Sequence, residues 1–544
     1  MRGAIEQAQS DGVLARLEIP EIVIERPQNT GHGDYASSLP LKMARSMGKN
    51  PLEIGREIVK RIELPSEFSV LDVVAPGFIN FTLSPDWLCR QVPDILAAGE
   101  DFGNIDIGKG AAIQVEFVSA NPTGPLHVGN GRGAVIGSTL ANILEAAGYN
   151  VQKEYYINDA GNQMDSFHRS LYARYQQACG VDAEMPQEGY HGQYVTDLAR
   201  QILDENGRQF IDLPQTEALV ALGKVGVRKM LEKIRADLGS LGVDYDSWFS
   251  EQSLFDNGQF GSVIELLDKA GYLTQKEGAV WFASTVLGEN KDNVVVRSSG
   301  SATYFGTDIA YHYNKFIERK FDKVIDIWGA DHQGHVSRMG VVMKALGVDP
   351  TRLRVIIAQM VTLKRGGECV RLSKRSGDMI TLREVIDEVG ADACRFFFLA
   401  RSADSQMDFD LDLARQESAE NPVYYVQYAH ARTASILRLA EEEQIDYTSG
   451  DVRLLTGEPE QALIRIVMQL PEIVEYAAHT FEPHNLPHYA QNLATAFHSF
   501  YKLCRVISKE DPEQSKARLK LVAAAKTVLA RTLGLMGMAA PETM

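Results

Sequence analysis

Ala112-Ile-Gln-Val-Glu-Phe-Val-Ser-Ala-Asn-Pro-Thr-Gly-Pro-Leu-His-Val-Gly-Asn130 is the stretch that decides the fold. It opens on residues 112–118, a run whose composition reads as a strand. A loop rich in proline and glycine follows, from Ser119 to Asn130. Apolar Val135, Ile136, Leu140, Ile143, Leu144 and Ala147 then recur at helical spacing until Gly148. Residues 151–157 read as the next strand. Strand, helix and strand within about 45 residues make a βαβ unit, which predicts a parallel sheet. Such sheets bind ligands at the carboxyl ends of their strands, and a helix N-terminus offers unsatisfied N–H groups to anions. The loop is therefore a candidate phosphate site. Gly129 permits close backbone approach, and His127 and Asn130, three apart at the helix start, can both face a phosphate.

Working outward, residues 1–108 read as a small α+β module. Residues 40–62 have helical periodicity, with Leu41, Ala44, Met47, Ile54, Ile58 and Ile62 apolar, and 70–74 and 78–83 are strand-like runs around Pro76-Gly77. Residues 103–110 read as a linker. The sheet domain is expected over 109–400, interrupted at about 162–290 by a charged, mostly helical insertion. Strand-like runs return at 293–297, 323–328 and 354–358. Beyond 400 the periodicity is helical, over 421–440, 461–479, 486–508 and 517–533, so 401–544 should be a helical bundle. The expected fold class is multidomain α/β: a Rossmann-type parallel sheet with an inserted helical segment, a small N-terminal α+β domain and a C-terminal α-helical bundle.

Composition agrees with a large globular chain. Its 544 residues suggest three or four domains, and 45% apolar with 23% charged residues is ordinary for a water-soluble protein. Five cysteines, widely spread and without a C-x-x-C pair, argue against a disulfide scaffold and a cysteine-rich zinc site, and fit a reducing compartment. No apolar run approaches a membrane span, and Glu6, Asp11, Glu18 and Glu21 near the start are unlike a signal peptide. A cytoplasmic protein is expected. The net charge of −17 repels nucleic acid, so such a partner must be met by local patches. Residues 352–375 carry seven Lys/Arg against Glu368 alone, and 502–531 carry eight against three acids.

A second motif, Arg371-Leu-Ser373-Lys374-Arg375-Ser-Gly377, follows a strand-like run and precedes Thr381-Leu-Arg-Glu384, a capping-box pattern. Alone it reads as a solvated basic loop, and alone His127 reads as a cap. Together, His-x-Gly-x early in a Rossmann sheet and x-x-Ser-Lys-x near its end form the signature pair of class I aminoacyl-tRNA synthetases, which this chain resembles. Within that class it looks like the arginyl-tRNA synthetases. The stretch Glu116 to Asn130 carries the likeness, with Tyr156-Ile-Asn-Asp-Ala-Gly-Asn-Gln163, Tyr304-x-x-x-Asp308, Asp392-Ala-Cys-Arg395 and Asn421-Pro-Val-Tyr-Tyr-Val-Gln-Tyr-Ala-His-Ala-Arg432. The resemblance covers nearly the whole chain in order. Two departures stand out: Asn130 replaces the usual histidine, keeping a hydrogen-bond donor without the charge, and Arg371-Leu372 replace Lys-Met.

The resemblance implies activation of L-arginine by ATP, then transfer to tRNA(Arg). It implies phosphate contacts by His127 and Asn130, with Lys374 at the transition state. Pro122, Gly129, Gly329, Asp331, His332, Ser373 and Arg375 would complete the ATP site, with Mg²⁺ bridging phosphate oxygens rather than held in a protein cage. A guanidinium is a planar fork that asks for carboxylates. The implied arginine contacts are Glu116, Asn121, Tyr304 and Asp308, with Asn158, Asp159 and Gln163 organising the wall. Tyr304 and Asp308, four apart, share a helix face. His332 and His335 lie beside Asp331 but lack a third ligand at metal spacing, so neither a protein metal site nor a structural zinc is expected.

The resemblance places Phe78 and Asn80 of the N-terminal module, and Tyr428 and Arg432 of the bundle, against tRNA. Of Tyr424 and Tyr428, at least one is expected to be a core knob. A monomer is expected, and an insertion without hydrolytic editing, because a carboxylate-lined pocket already rejects uncharged analogues. Three rivals are weaker. The glycines of Gly129-Asn-Gly131-Arg-Gly133 start ten residues after Ser119, too far for a dinucleotide turn. There is no G-x-x-x-x-G-K-S/T loop, and a cysteinyl enzyme would need cysteine zinc ligands. Gly31-His-Gly33-Asp-Tyr-Ala36 mimics a dinucleotide fingerprint but follows no βα unit.

Overall fold

The computed structural model describes residues 1–27, 29–370 and 379–544. Ser373, Lys374 and Arg375 therefore lie outside the described residues. No helix among the described residues is long and apolar enough to cross a membrane.

The N-terminal part forms an antiparallel sheet in the order β1-β3-β2, from β1 (Tyr35–Ser37), β2 (Phe68–Val74) and β3 (Phe78–Leu83). Its core is Ile54, Ile58, Ile79 and Phe81 with Leu39 and Met43. The periodicity at 40–62 resolves into two helices, Leu39–Met47 and Pro51–Val59. The break has a local cause. Gly48 adopts a left-handed conformation (φ 60°) that closes the first helix, and Asn50 caps the second ahead of Pro51.

The central sheet is parallel, in the order β11-β10-β4-β5-β6. Its members are β4 (Ala112–Phe117), β5 (Asn150–Ile157), β6 (Ser247–Ser250), β10 (Lys323–Gly329) and β11 (Leu353–Ala358). One face is covered by the helix Val128–Ala146, which approaches so closely that a Cβ on Gly137 would sit 2.2 Å from the Phe117 ring. A Cβ on Gly131 would sit 2.5 Å from Leu382, so two of the glycines after the loop serve packing.

The segment 162–290 is mostly helical, as expected, but it also carries strands. It begins with the helices Asn162–Ala178, Gln193–Asn206 and Gln215–Ser240, but then supplies β6, the edge strand beside β5. Strand β6 is four residues long and has no alternation strong enough to reveal it. The run at 293–297 also belongs elsewhere. It is β9 (Asn293–Val296) of a separate antiparallel sheet with β7 (Leu273–Lys276) and β8 (Ala279–Phe282).

Strands β12 (Val361–Arg365), β13 (Glu368–Cys369) and β14 (Met407–Asp410) form a fourth small sheet. Thr381 and Glu384 make the capping box of the helix Leu382–Val389. The C-terminal helices are Pro422–Glu442, Glu458–Val467, Leu470–Thr480, Asn485–Leu503 and Pro512–Leu535. The periodicity at 461–479 thus spans two helices, the second opening on Leu470 and Pro471.

Candidate active site

Strand β4 ends in a strained turn. Val118 (φ 71°) and Ser119 (φ 41°) occupy the left-handed region, unusual for a β-branched residue. The turn is held on several sides: the Tyr245 hydroxyl donates to the Phe117 carbonyl (3.1 Å), the Tyr155 hydroxyl to that of Ala120 (2.8 Å) and the Asn158 amide to that of Ser119 (3.1 Å). The kink folds the Ser119 hydroxyl back onto Glu116 Oε1 (2.7 Å), where it also accepts from the Tyr156 N–H (3.1 Å). Asn121, on the same loop, is half-buried.

Asp159 accepts from the Ser250 hydroxyl (2.6 Å) and the Gln252 N–H (3.0 Å), splicing the end of β5 to the end of β6. That splice presents a residue which sequence reasoning missed, Glu251. It is buried, one of its carboxylate oxygens has no hydrogen-bond partner, and burial raises its pKa to about 6. Across the cleft, Thr303 caps the helix Tyr304–Tyr313. Tyr304 stands half-exposed at its start, and Asp308 lies one turn on. The Asp308 carboxylate makes no hydrogen bond or ion pair among the described residues. Burial pushes its pKa up to about 7, with Glu116, Glu251 and Asp326 adding to the rise and His312 opposing it. The structure thus brings Glu116 and Glu251 within electrostatic reach of Asp308, and Tyr304 within reach of Glu251. Gln163 is half-buried in the first turn of the helix Asn162–Ala178, and no hydrogen bond of its side chain is described.

The two oxygens of Glu116 are already engaged. Oε2 receives the Lys315 ammonium at 2.6 Å, and Oε1 the Ser119 hydroxyl. Glu116 is therefore not the open half of a guanidinium clamp, as the sequence had suggested; its charge is already met from inside the protein.

His127 caps the helix Val128–Ala146. Its Nδ1 accepts from the Gly129 N–H (3.1 Å), and Asn130 Oδ1 accepts from the His127 N–H (3.0 Å). The Asn130 carbonyl oxygen is thereby spent on the cap, which leaves its amide N–H₂ for a ligand. Burial lowers the His127 pKa, and Asp331 opposes this from the 3₁₀ turn Ala330–His335 that follows β10. A Cβ on Gly329 would meet Asp331 Oδ1 at 2.6 Å, so that exposed side chain would have to swing aside. His332 lies 3.3 Å from Asp331 and packs on Trp328. Pro122, within the loop, is buried. Beyond the undescribed residues the chain returns to this place: Thr381 pairs with His127, and the Leu382 N–H donates to Leu126 (2.8 Å).

Three family models match consecutive segments of the chain. They are an arginyl-tRNA synthetase N-terminal domain (1–83), a class I tRNA synthetase (R) catalytic domain (91–412) and a DALR anticodon-binding domain (426–544). The arginine–tRNA ligase of Dehalococcoides mccartyi strain BAV1 is 59% identical over 99% of this chain and 97% of that protein. The chain belongs to the arginyl-tRNA synthetases. The arginine–tRNA ligase of Carboxydothermus hydrogenoformans is 49% identical over 96% of this chain and 94% of its own length. The Thermus thermophilus arginyl-tRNA synthetase shares the fold, with a TM-score of 0.78 at 22% identity over 100% of this chain and 99% of that one.

In this arginyl-tRNA synthetase the other expected contact residues belong to the anticodon-binding helices and the N-terminal module. Tyr424, Tyr425, Tyr428, Arg432, His498, Tyr501 and Lys502 line an open groove of about 760 Å³ on the anticodon-binding domain. Tyr424 and Tyr428 stack at 5.8 Å, and Arg432 lies 4.7 Å over the rings of both Tyr428 and Tyr501. Both Tyr424 and Tyr428 are half-buried walls of this groove, so neither is the core knob that was expected. In the N-terminal module Phe78 is half-buried, while Asn80 is buried with neither amide atom hydrogen-bonded. The basic run 352–375 is partly committed internally. Arg352 donates to the carbonyls of Phe321 and Asp322, Lys364 pairs with Asp408 and Arg365 with Glu388.

Proposed function

We propose that the cleft at the carboxyl ends of β4, β5 and β6 binds L-arginine, and that the adjoining His127 loop binds ATP. The activity is that of an arginine–tRNA ligase. An arginine carboxylate oxygen attacks the α-phosphorus of ATP, giving arginyl-adenylate and pyrophosphate. The terminal ribose hydroxyl of tRNA(Arg) then attacks the arginyl carbonyl, and AMP leaves. Chemistry of this kind asks the protein for positioning and charge stabilisation.

The observation that carries the arginine site is a pair of acids lacking a cation: Asp308, unpaired among the described residues, and Glu251, buried with a free oxygen. Neither settles as an anion without an outside positive charge. A guanidinium supplies that charge in planar form. Tyr304 covers the entrance, and Asn121, Asn158, Asp159 and Gln163 shape the wall. Glu116, neutralised by Lys315, turns its remaining lone pairs to the α-ammonium end of the substrate.

His127 and the free amide of Asn130 take the phosphates at the helix N-terminus. Pro122, Gly129, Gly329, Asp331 and His332 hold the nucleoside side. Ser373, Lys374 and Arg375 are assigned to the leaving pyrophosphate by the signature they match. Mg²⁺ bound with the nucleotide would offset phosphate charge beside His127 and Asn130, with no cluster of protein ligands for it among the described residues. The groove around Tyr428 and Arg432 offers stacking faces and a cation to unpaired bases, and Phe78 with Asn80 is the second tRNA contact. The same reading takes the chain as a cytoplasmic monomer.

The test is ATP–pyrophosphate exchange with a panel of amino acids, with and without tRNA. Arginine alone should support exchange, and tRNA should be required. Lys374→Ala should cut exchange strongly while leaving tRNA binding nearly intact; equal loss of both would refute the role given to Lys374.

A further inference from the structure

Three adjacent strands carry an acid at the same level of the sheet. Glu154 on β5 is in register with Glu116 on β4, which is in register with Asp326 on β10. All three are buried. A row of carboxylates across a sheet interior is untenable unless each is answered, and one helical segment answers all three. The helix Tyr304–Tyr313 continues through a π-helical turn, Asn314–Glu318. His312 Nε2 lies 2.9 Å from Asp326 Oδ2, and Arg319 forks onto Glu154. Between them Lys315, fully buried, places its ammonium 2.6 Å from Glu116 and 2.7 Å from Asp326, over the Tyr311 ring at 4.2 Å. The segment that carries Tyr304 and Asp308 at one end is thus bolted at the other to β4, through Glu116.

We propose that Lys315 is a positioning residue for arginine recognition: its ammonium, shared by Glu116 and Asp326, holds the Glu116 carboxylate in its charged form and fixes the Tyr304–Asp308 helix against the mouth of the sheet. This rests on the placement of arginine between Asp308 and Glu116. Lys315 touches no substrate atom in that arrangement. Its ammonium is closed off by Glu116 from β4, Asp326 from β10 and the Tyr311 ring of its own helix, with His312 beyond Asp326 and the Glu154–Arg319 pair one strand away. With the ammonium present, burial and the neighbouring Asp326 lift the Glu116 pKa while Lys315 opposes them. Without it, Glu116 and Asp326 are two buried acids side by side, and one must take a proton near neutrality.

The experiment is the pH profile of kcat/KM for arginine in aminoacylation by the full chain, whose acid limb reports the acids that arginine needs charged in the free enzyme, Glu116 together with Asp308 and Glu251. Lys315→Met should move the acid limb upward by about one to three pH units, the effect of removing one charge at contact distance, with the KM for ATP unchanged. Adding Asp326→Asn to that variant removes the surplus negative charge and should return the limb toward its original position. Asp326→Asn alone should move the limb downward, because it relieves Glu116 and Asp308 together, and this second variant stands even if Lys315→Met fails to fold. A purely structural Lys315 would lower the amplitude and leave the limb in place, which would overturn the proposal, as would an unmoved limb in Asp326→Asn. Asp308→Asn separates the two claims. If it leaves the arginine KM unchanged, the arginine site itself is misplaced; if it raises that KM while the limb stays fixed in the Lys315 and Asp326 variants, only the role of Lys315 falls.

Discussion

In the free protein the Asp308 carboxyl keeps its proton up to about pH 7, because burial and the neighbouring acids penalise its charge. Its unfolded counterpart ionises near 4. This group therefore favours the folded state at low pH, and that contribution fades as pH rises from about 4 through 7. Glu251, lifted to about 6, acts in the same sense. A bound guanidinium reverses the balance, since it needs both acids charged. Arginine should raise Tm more at pH 8 than at pH 6, and its binding at pH 7 should release a fraction of a proton, measurable by calorimetry in buffers of different ionisation enthalpy. Removing the charge, Asp308→Asn, should raise the arginine KM by about 10- to 100-fold, the range for a hydrogen bond to a charged group. A smaller effect on the KM for ATP would separate the two subsites.

At the scale of the element, the Val128–Ala146 helix is set by glycines. Gly137→Ala should push the helix off the Phe117 ring and cost about 1–3 kcal/mol, the usual penalty for overpacking. Thermal unfolding would measure it, and an unchanged Tm would mean that the helix can shift freely. Strand β4, its loop and this helix were readable in advance because each has a long local signal: a strand run, a turn-rich stretch, then sustained periodicity. Strand β6 was not readable, since four residues carry little period, and Glu251 went unseen because it belongs to no motif and matters only through the Asp159 splice. Glu116 was found, but as an open ligand. Its partner Lys315 is 199 residues away, and a lysine on a helix reads as solvated until the fold shows it closed in. The helix bounds near 48–50 and 468–471 were missed where an apolar period runs on across a break that only backbone chemistry marks.

At the scale of the molecule, the N-terminal module is latched to the anticodon-binding helices. Arg26 forks onto Glu472 with both bonds at 2.7 Å, the Tyr35 hydroxyl joins the same carboxylate at 2.6 Å, and Arg465 reaches Asp34 at 2.8 Å. Glu472→Ala combined with Arg465→Ala should speed hydrogen exchange across residues 1–83 and weaken tRNA binding while leaving arginine binding intact. Loss of arginine binding would mean that the latch reaches the cleft. A second tie crosses the molecule at Arg395, whose buried guanidinium donates to the carbonyls of Met536 and Leu241 and to the Ser138 hydroxyl. The Met536 carbonyl lies 141 residues downstream of Arg395. Without that stretch the Arg395 Nε–H, inside the catalytic domain, loses its acceptor. A chain cut short of this carbonyl should therefore melt at a lower temperature, with Arg395 held only by its upstream acceptors, Leu241 and Ser138.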